Sequence, residues 1–594
     1  MKKFRLYIIS IVLLSLVYGC ADEVLTKYPL DVISDQMVWN DPVLIEQYLT
    51  QCYAEVEPYL DQGYRFDNTK IIFRELVMLA LADEAGAAWN GITKTQHITV
   101  TGSHEYEADE FGGRQATLMW WGYPTVRRLN QFVESVATAP VSDRERLVGE
   151  ARFLRAFCYF MMVKRYGGVP LILREQLIDD PDEELFRKRD KEEDVYQFII
   201  DEIDDLVTNG SLPASAPAGK ATLYTALALK SRAAMYAASI ATWGTVQLDG
   251  VVGIPAGRAA HFWQASYDAS KKIISDGRFA LYNAKPDDKA ANYRELFLTK
   301  NNSEVIWAEC YTGVSGKNHS WDMWQCPPSY NAWASGQLTQ VYLEMVESYG
   351  NIDGTSGVID RNKINTGYLW TMDELFGKKD PRFKASVYTN ETPWRGEPLD
   401  YHNGVITEDG TLTTEPYKEV LGRGRCGDRQ QPFGTFKYLD ESLVPSGPRT
   451  SSTDWIVFRL GEIYLNLAEA AFELNKADEA KEAVNEIRKR AGMPVFASVT
   501  REDIRAERKV ELAFEANRYW DLRRWRTAVT DLTKSWTGLR YILDYQTRKY
   551  KLELLPDVTG LPSPYFEEKH YYFPITLSRI SNNPNLVENP GWAN

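Results

Sequence analysis

Histidine and cysteine are scarce, with 6 of each in 594 residues. No Cys-x-x-Cys pair occurs and no two histidines stand at metal-ligand spacing, so a structural zinc site has no support in the sequence. His104-Glu105 lacks the second histidine that the helical zinc-protease motif needs. Positive charge is also short. Against 82 Asp+Glu there are 68 Lys+Arg, and the resulting net charge of −14 repels a phosphate-rich partner unless a local patch overrides it. The basic clusters, chiefly Arg488-Lys489-Arg490 and Arg523-Arg524, fall on predicted helices, where a solvated or salt-bridged face is the plain reading. No nucleic-acid partner is expected. Setting Cys20 aside leaves Cys52, Cys158, Cys310, Cys326 and Cys426, an odd set that excludes a disulfide framework. Cys310 and Cys326 bracket one loop and could bridge, or all five could be buried free thiols.

What is present is an ordinary globular balance, 44% hydrophobic and 25% charged, on a chain long enough to bury a large core. The N-terminus MKKFRLYIISIVLLSLVYGC has a basic start and an apolar run from Leu6 to Val17, the layout of a secretory signal and too short to span a membrane. It ends on Gly19-Cys20, and this ending resembles the lipobox of bacterial lipoproteins, which implies acylation of Cys20. Val17 and Tyr18 depart from the usual lipobox residues, and a plain secretory signal cut elsewhere is the alternative. Several acyl chains would hold the protein firmly, at about 0.8 kcal/mol per buried methylene.

Helical periodicity dominates most of the remainder. Asp41 is a predicted N-cap with Pro42 at the first helical position. Ser142 and Glu145 stand at capping-box spacing before a stripe of Leu147, Ala151, Leu154, Cys158 and Met161, and Gly167-Gly168 with Pro170 predicts its end. KEEDVYQFIIDEIDDLV and KATLYTALALKSRAAMYAAS form a further pair, the second Ala-rich enough for close helix approach. Late in the chain, Leu460, Ile463, Leu467, Ala468 and Ala471 stripe one helix, and Ala480, Ala483, Val484, Ile487 and Ala491 the next, which stops at Gly492. Such pairs resemble tetratricopeptide hairpins without a fixed period. Residues 310–450 differ: they are dense in Gly, Pro, Asn, Asp and Thr, with short strand-like pieces such as FKASVYT and GTFKYL, and little helical pattern outside QVYLEMVESYG. GRGRCG satisfies a dinucleotide fingerprint literally, but no helix pattern follows it.

Within that portion HSWDMWQCPPSYNAWAS gathers Trp321, Trp324, Tyr330 and Trp333 around Pro327-Pro328, so the rings are expected on a loop. An exposed ring can stack on the CH-rich face of a sugar while neighbouring polar groups bind its hydroxyls. An indole buries on the order of 150–250 Å² when covered, so partial cover at about 25 cal/mol per Å² supplies a few kcal/mol before ordering costs. Packing of the same rings against the body is the competing reading.

Several segments together resemble one family, the SusD/RagB outer-membrane lipoproteins: GEARFLRAFCYFMMVKRYGGVPLI, KKDPRF, FRLGEIYLNLAEAAFELN, NEIRKRAGMP, ERKVELAFEANRYWDLRRW and YYFPITLSRISNNPNLVENPGW match its hallmark segments in order. The resemblance implies a mostly α, SusD-like fold with degenerate tetratricopeptide-like helix pairs and an irregular, loop-rich ligand-binding portion. It divides the chain into a signal peptide (1–19), an N-terminal helical scaffold (20–309), the loop-rich portion (310–450) and a C-terminal helical pair with its closing segment (451–594). It further implies an outward-facing lipoprotein of the outer membrane, anchored through Cys20, that captures oligosaccharide for a SusC-like TonB-dependent transporter and is not a catalyst. No cofactor and no metal-ligand residues are identified in the sequence, which leaves a structural metal ion open. Aromatic arcs in starch-binding members imply, by position, Asp83, Trp89 and Asn90 early in the chain, then Tyr311, Trp321, Trp324, Tyr330 and Trp333. Trp394 is a weaker candidate. Trp520, Asp521, Arg523, Arg524 and Trp525 lie in a segment typical of the family and are expected to pack and salt-bridge. A peptide-binding member, a glycoside hydrolase and a pure assembly or adhesion protein are the alternatives. The hydrolase would require two close carboxylates in the aromatic groove.

Overall fold

The computed structural model describes residues 35–56, 79, 81–87, 120–330, 336–427, 431–443, 447, 450–558 and 566–592. The signal peptide, Cys20, Trp89, Asn90 and Trp333 lie outside the described residues.

Helix α1 (Pro42–Glu55) starts as its sequence predicts: the Asp41 carboxylate accepts from the Val43 N–H at 2.8 Å and the Leu44 N–H at 3.4 Å, and Pro42 gives up no needed donor. The short strand β1 (Ala85–Ala87) and helix α2 (Tyr123–Thr138) come next among the described elements. Helix α3 (Arg144–Tyr166) is buried along nearly its whole length and ends at Gly167, whose φ of 76° needs a residue without Cβ. Its expected capping box does not form. Asp143 takes the N-cap position without capping, because its carboxylate accepts instead from Arg146 Nε at 3.1 Å.

Helices α4 (Glu192–Thr208), α5 (Leu223–Trp243) and α6 (Ala259–Ser275) continue the layered scaffold. The Ala-rich face of α5 does let a neighbour approach: Ser231 and Ser270 hydroxyls meet at 2.8 Å, and Ser266 Oγ donates to the Ser231 carbonyl at 2.8 Å. Strand β2 (Val305–Glu309) then leads into the irregular portion.

Here the structure departs from the sequence pattern in detail. The aromatic run forms a short helix α7 (Trp321–Gln325) in place of a loop, and it stops at Cys326 because Pro327 and Pro328 follow. QVYLEMVESYG splits into β3 (Thr339–Val341) and helix α8 (Leu343–Ser348). FKASVYT is mostly helix α9 (Pro381–Ser386), capped by the Asp380 carboxylate on the Arg382 N–H at 2.9 Å, and only then strand β4 (Val387–Tyr388). With β5 (Gly434–Thr435) these strands make one small sheet, in the order β1-β3-β5-β4.

Strand β6 (Trp455–Arg459) pairs antiparallel with β2 and runs directly into α10 (Leu460–Glu473). Helix α11 (Ala477–Ala491) completes the predicted hairpin and ends on Gly492 at φ 75°. Helices α12 (Arg501–Glu511) and α13 (Arg518–Arg524) follow.

An ionic cluster inside the core joins these elements. Glu511 meets Arg459 at 2.7 Å and Arg382 at 2.9 Å, with Arg490 also on it; Arg459 reaches Glu304 at 2.8 Å, and Glu515 binds Arg459 at 2.7 Å and Lys437 at 2.9 Å. Beside it Asp521 binds Arg508 at 2.7 Å and Arg524 at 2.9 Å, Glu469 takes Arg524 at 2.7 Å, and Trp525 Nε1 donates to Glu469 at 2.7 Å. Trp520 lies under Lys164, 4.4 Å from the ring centre. The packing role expected for Trp520 to Trp525 is what the structure holds.

Cys52, Cys158, Cys310, Cys326 and Cys426 are all unbridged. Cys326 Sγ contacts the Met323 carbonyl at 3.2 Å and Cys310 Sγ the Ala308 carbonyl at 3.8 Å. Adding dithiothreitol is therefore expected to leave the melting temperature unchanged, and alkylation of the unfolded, unreduced protein followed by mass spectrometry should find all five thiols free.

Candidate functional site

Four of the residues expected to line a ligand site are buried in the chain's own packing. Trp321 has no exposed surface and its Nε1 donates to the Lys437 carbonyl at 3.1 Å. Trp324 is buried on the same short helix, and the Leu338 N–H donates to its carbonyl at 2.9 Å. The Tyr311 ring stands edge-on to buried His319, centroids 4.7 Å apart, and its N–H donates to Asp454 at 2.8 Å. Asp83 binds Arg518 at 2.7 Å and Lys509 at 2.9 Å. Burial pushes the Asp83 carboxyl up, but the two cations outweigh it and hold it below the usual carboxylate range. These four are corrected from ligand-binding to structural positions. The Trp321 and Asp83 side chains find partners far along the chain, and Tyr311 and Trp324 are held by main-chain bonds to Asp454 and Leu338, none of which loop composition can reveal. Trp394 is likewise fully buried. Tyr330 remains half-buried, its ring 5.7 Å from Trp394.

A cleft of about 320 Å³ opens instead at the entry to the irregular portion, between α1, α3 and the β2–β6 pair. Its apolar lining comes from Val56, Leu154, Phe157, Trp307 and Val457, and its polar lining from Thr50, Tyr53, Lys220, Glu309 and Lys317. Strand β2 alternates, so Ile306 and Ala308 turn inward while Val305, Trp307 and Glu309 share the half-exposed face. Trp307 is held firmly. Its cross-strand neighbour Phe458 stacks on it at 6.0 Å and 24°, Phe153 and Phe157 meet it at steep angles, and Nε1 donates to the Gly219 carbonyl at 3.0 Å.

Tyr53 is equally fixed. Its hydroxyl donates to Glu150 at 2.7 Å and accepts from the Ala221 N–H at 2.9 Å, and burial raises its pKa well above the usual phenol value. The charges at the cleft are already matched: Lys220 lies 3.5 Å from both Glu46 and Glu150, and Lys317 pairs with Glu309. Burial pushes the Cys310 thiol up to about 11, so no thiolate nucleophile forms at neutral pH. Glu309 is the one carboxylate among the described residues that line the cleft. The arrangement presents rigid rings and balanced polar groups, which suits binding of an uncharged, partly apolar surface.

Sequence reasoning passed over Trp307, although the alternation in VIWAE marks it as lying opposite Ile306 and Ala308. Tyr53 and Lys220 carried no local signal.

A family model described as the SusD family matches residues 303–592, and one described as "Starch-binding associating with outer membrane" matches residues 28–235. A SusD-like protein of Bacteroides ovatus is 23% identical over 516 residues, covering 79% of this chain and 80% of the relative. The starch-binding protein SusD of Bacteroides thetaiotaomicron is 22% identical over 495 residues, covering 79% and 76%. The crystal structure of a SusD-like protein of Bacteroides fragilis superposes with a TM-score of 0.70 at 23% identity, over 95% of this chain and 100% of that one.

Proposed function

The chain belongs to the SusD family, and from that premise we propose that it is a cell-surface lipoprotein that captures an oligosaccharide and delivers it to a SusC-like TonB-dependent transporter. In this reading acylated Cys20 anchors it in the outer membrane, facing outward, and the protein binds without chemical turnover. Support comes from the family models and from a relative named for starch binding.

The observation that carries the ligand class is the cleft at Trp307. A pyranose laid along the half-exposed indole would bury apolar CH surface, and Thr50, Lys220, Glu309 and Lys317 line the same cleft with groups able to exchange hydrogen bonds with hydroxyls. Because Lys220 and Lys317 already have carboxylate partners, a neutral glycan meets no uncompensated charge there. An acidic one would have to compete with those pairs.

Partial cover of one indole is worth on the order of 1–3 kcal/mol. Trp307→Ala is therefore expected to weaken binding of a neutral glucan by about 5- to 150-fold. Titration calorimetry of the full chain in detergent against a panel of neutral oligosaccharides measures this, with circular dichroism as the check on folding. If the folded variant binds as tightly as the parent, the glycan does not sit in this cleft; silence toward every glycan removes the ligand class. Delivery is tested separately, by whether the full chain co-purifies with a TonB-dependent transporter from the outer membrane.

A further inference from the structure

A second cavity, about 530 Å³, lies where the chain after α5, the turn after α13 and the closing segment meet. Arg526 lines it, in a left-handed backbone conformation at φ 58°. Its Nη2 donates to the Tyr572 hydroxyl at 2.6 Å, and its Nη1 to the Arg523 carbonyl at 3.3 Å. The guanidinium carbon lies 4.5 Å from the centre of the Tyr571 ring and 4.9 Å from that of Tyr572. Tyr572 is itself fixed, because its hydroxyl donates to buried Glu192 at 2.8 Å.

No carboxylate stands within ion-pair distance of Arg526 among the described residues, unlike its neighbours Arg518 and Arg524. Three of the five guanidinium donors thus have no partner among the described residues. A planar, immobilised guanidinium with free donors on a cavity wall matches the two oxygens of a carboxylate. The other cation on the wall, Lys569, is already bound to Glu567 at 2.8 Å. Trp243, half-buried, adds ring surface, and Thr245 and Gln247 add hydroxyl and amide groups suited to a sugar ring. Glu568, exposed on the same wall, opposes an anion, but its charge is screened by solvent.

We propose that this cavity is a second binding site, for a sugar that carries a carboxylate, with Arg526 taking that carboxylate through two parallel N–H···O bonds. The site is independent of the cleft at Trp307 and requires the charge that cleft disfavours.

The test is calorimetry or ligand-observed NMR on the full chain in detergent with three probes: galacturonate, galactose and acetate. Galacturonate is expected to bind about tenfold tighter than galactose. Arg526→Gln should bring galacturonate down to the level of galactose, Arg526→Lys should keep the charge but lose several-fold in affinity, and Glu568→Gln should tighten binding a few-fold. Trp307→Ala should leave galacturonate binding unchanged, which separates this site from the glycan cleft. The proposal is overturned if galacturonate does not bind, if galactose equals it, or if a folded Arg526 variant binds as well as the parent. Acetate displacing galacturonate at equal concentration would mark a site for the bare anion and overturn the sugar assignment.

Discussion

Glu511→Gln is expected to cost about 3–5 kcal/mol of folding free energy, the range for breaking one partner out of a buried ionic cluster. The substitution preserves shape and removes one charge. That charge faces Arg459, Arg490 and Arg382, all buried with it. Arg459 keeps Glu304 and Glu515, and Arg382 keeps Asp380 and Glu507, so the loss stays inside that range. Urea denaturation of parent and variant at pH 7 measures the difference. A loss below about 1 kcal/mol would mean that the cluster is as replaceable as surface pairs are.

The same carboxylate sets an acid limit. Burial pushes the Glu511 carboxyl up, but Arg490, Arg459 and Arg382 overcome it and hold the group well below its ordinary value of 4.5. A folded pKa below the unfolded one means that the unfolded chain binds protons first as pH falls, so stability contributed above pH 4.5 is lost below it. Glu515, Glu469 and Asp521 are lowered too, with burial again outweighed by their arginine partners. The gap between parent and Glu511→Gln should therefore narrow as pH falls below about 4.5.

Trp321→Ala is expected to cost about 3–5 kcal/mol of stability and to leave glycan affinity unchanged in whatever folded fraction remains. Its ring has no exposed surface, and its loss would also strand the Lys437 carbonyl that accepts from Nε1. Comparing it with Trp307→Ala separates the two kinds of tryptophan: one variant should lose stability and keep its glycan affinity, whereas the other, whose ring is only half-buried, should lose less stability and weaken glycan binding in the folded protein. Unfolding curves and calorimetry on the same preparations give both numbers. A Trp321 variant with full stability and no glycan binding would return the aromatic run to the ligand site.

The helices were legible because their signals are local. Asp41-Pro42 caps α1 through the carboxylate two and three residues ahead of its targets, and Gly492 ends α11 because only a residue without Cβ takes its backbone angles cheaply. The Leu460-to-Ala471 stripe predicts a buried helix face from spacing alone, and the ordered hallmark segments predict the family. Where a local signal had a rival partner it failed: Ser142-Glu145 has the spacing of a capping box, yet Asp143 and Arg146 pair across it.

Composition by itself determined that the chain is globular, acidic and poor in histidine and cysteine, and its periodicity determined a mostly helical scaffold interrupted by residues 310–450. Which of the candidate side chains stay open to solvent was decided only by the tertiary structure. Trp321 is buried by the chain near Lys437, Asp83 is taken by Arg518 and Lys509, and Trp307 is brought beside Tyr53 and Lys220 from separate elements. Exposure is a property of what packs on a side chain, and those partners are distant in sequence, so no pattern of neighbours along the chain could assign it.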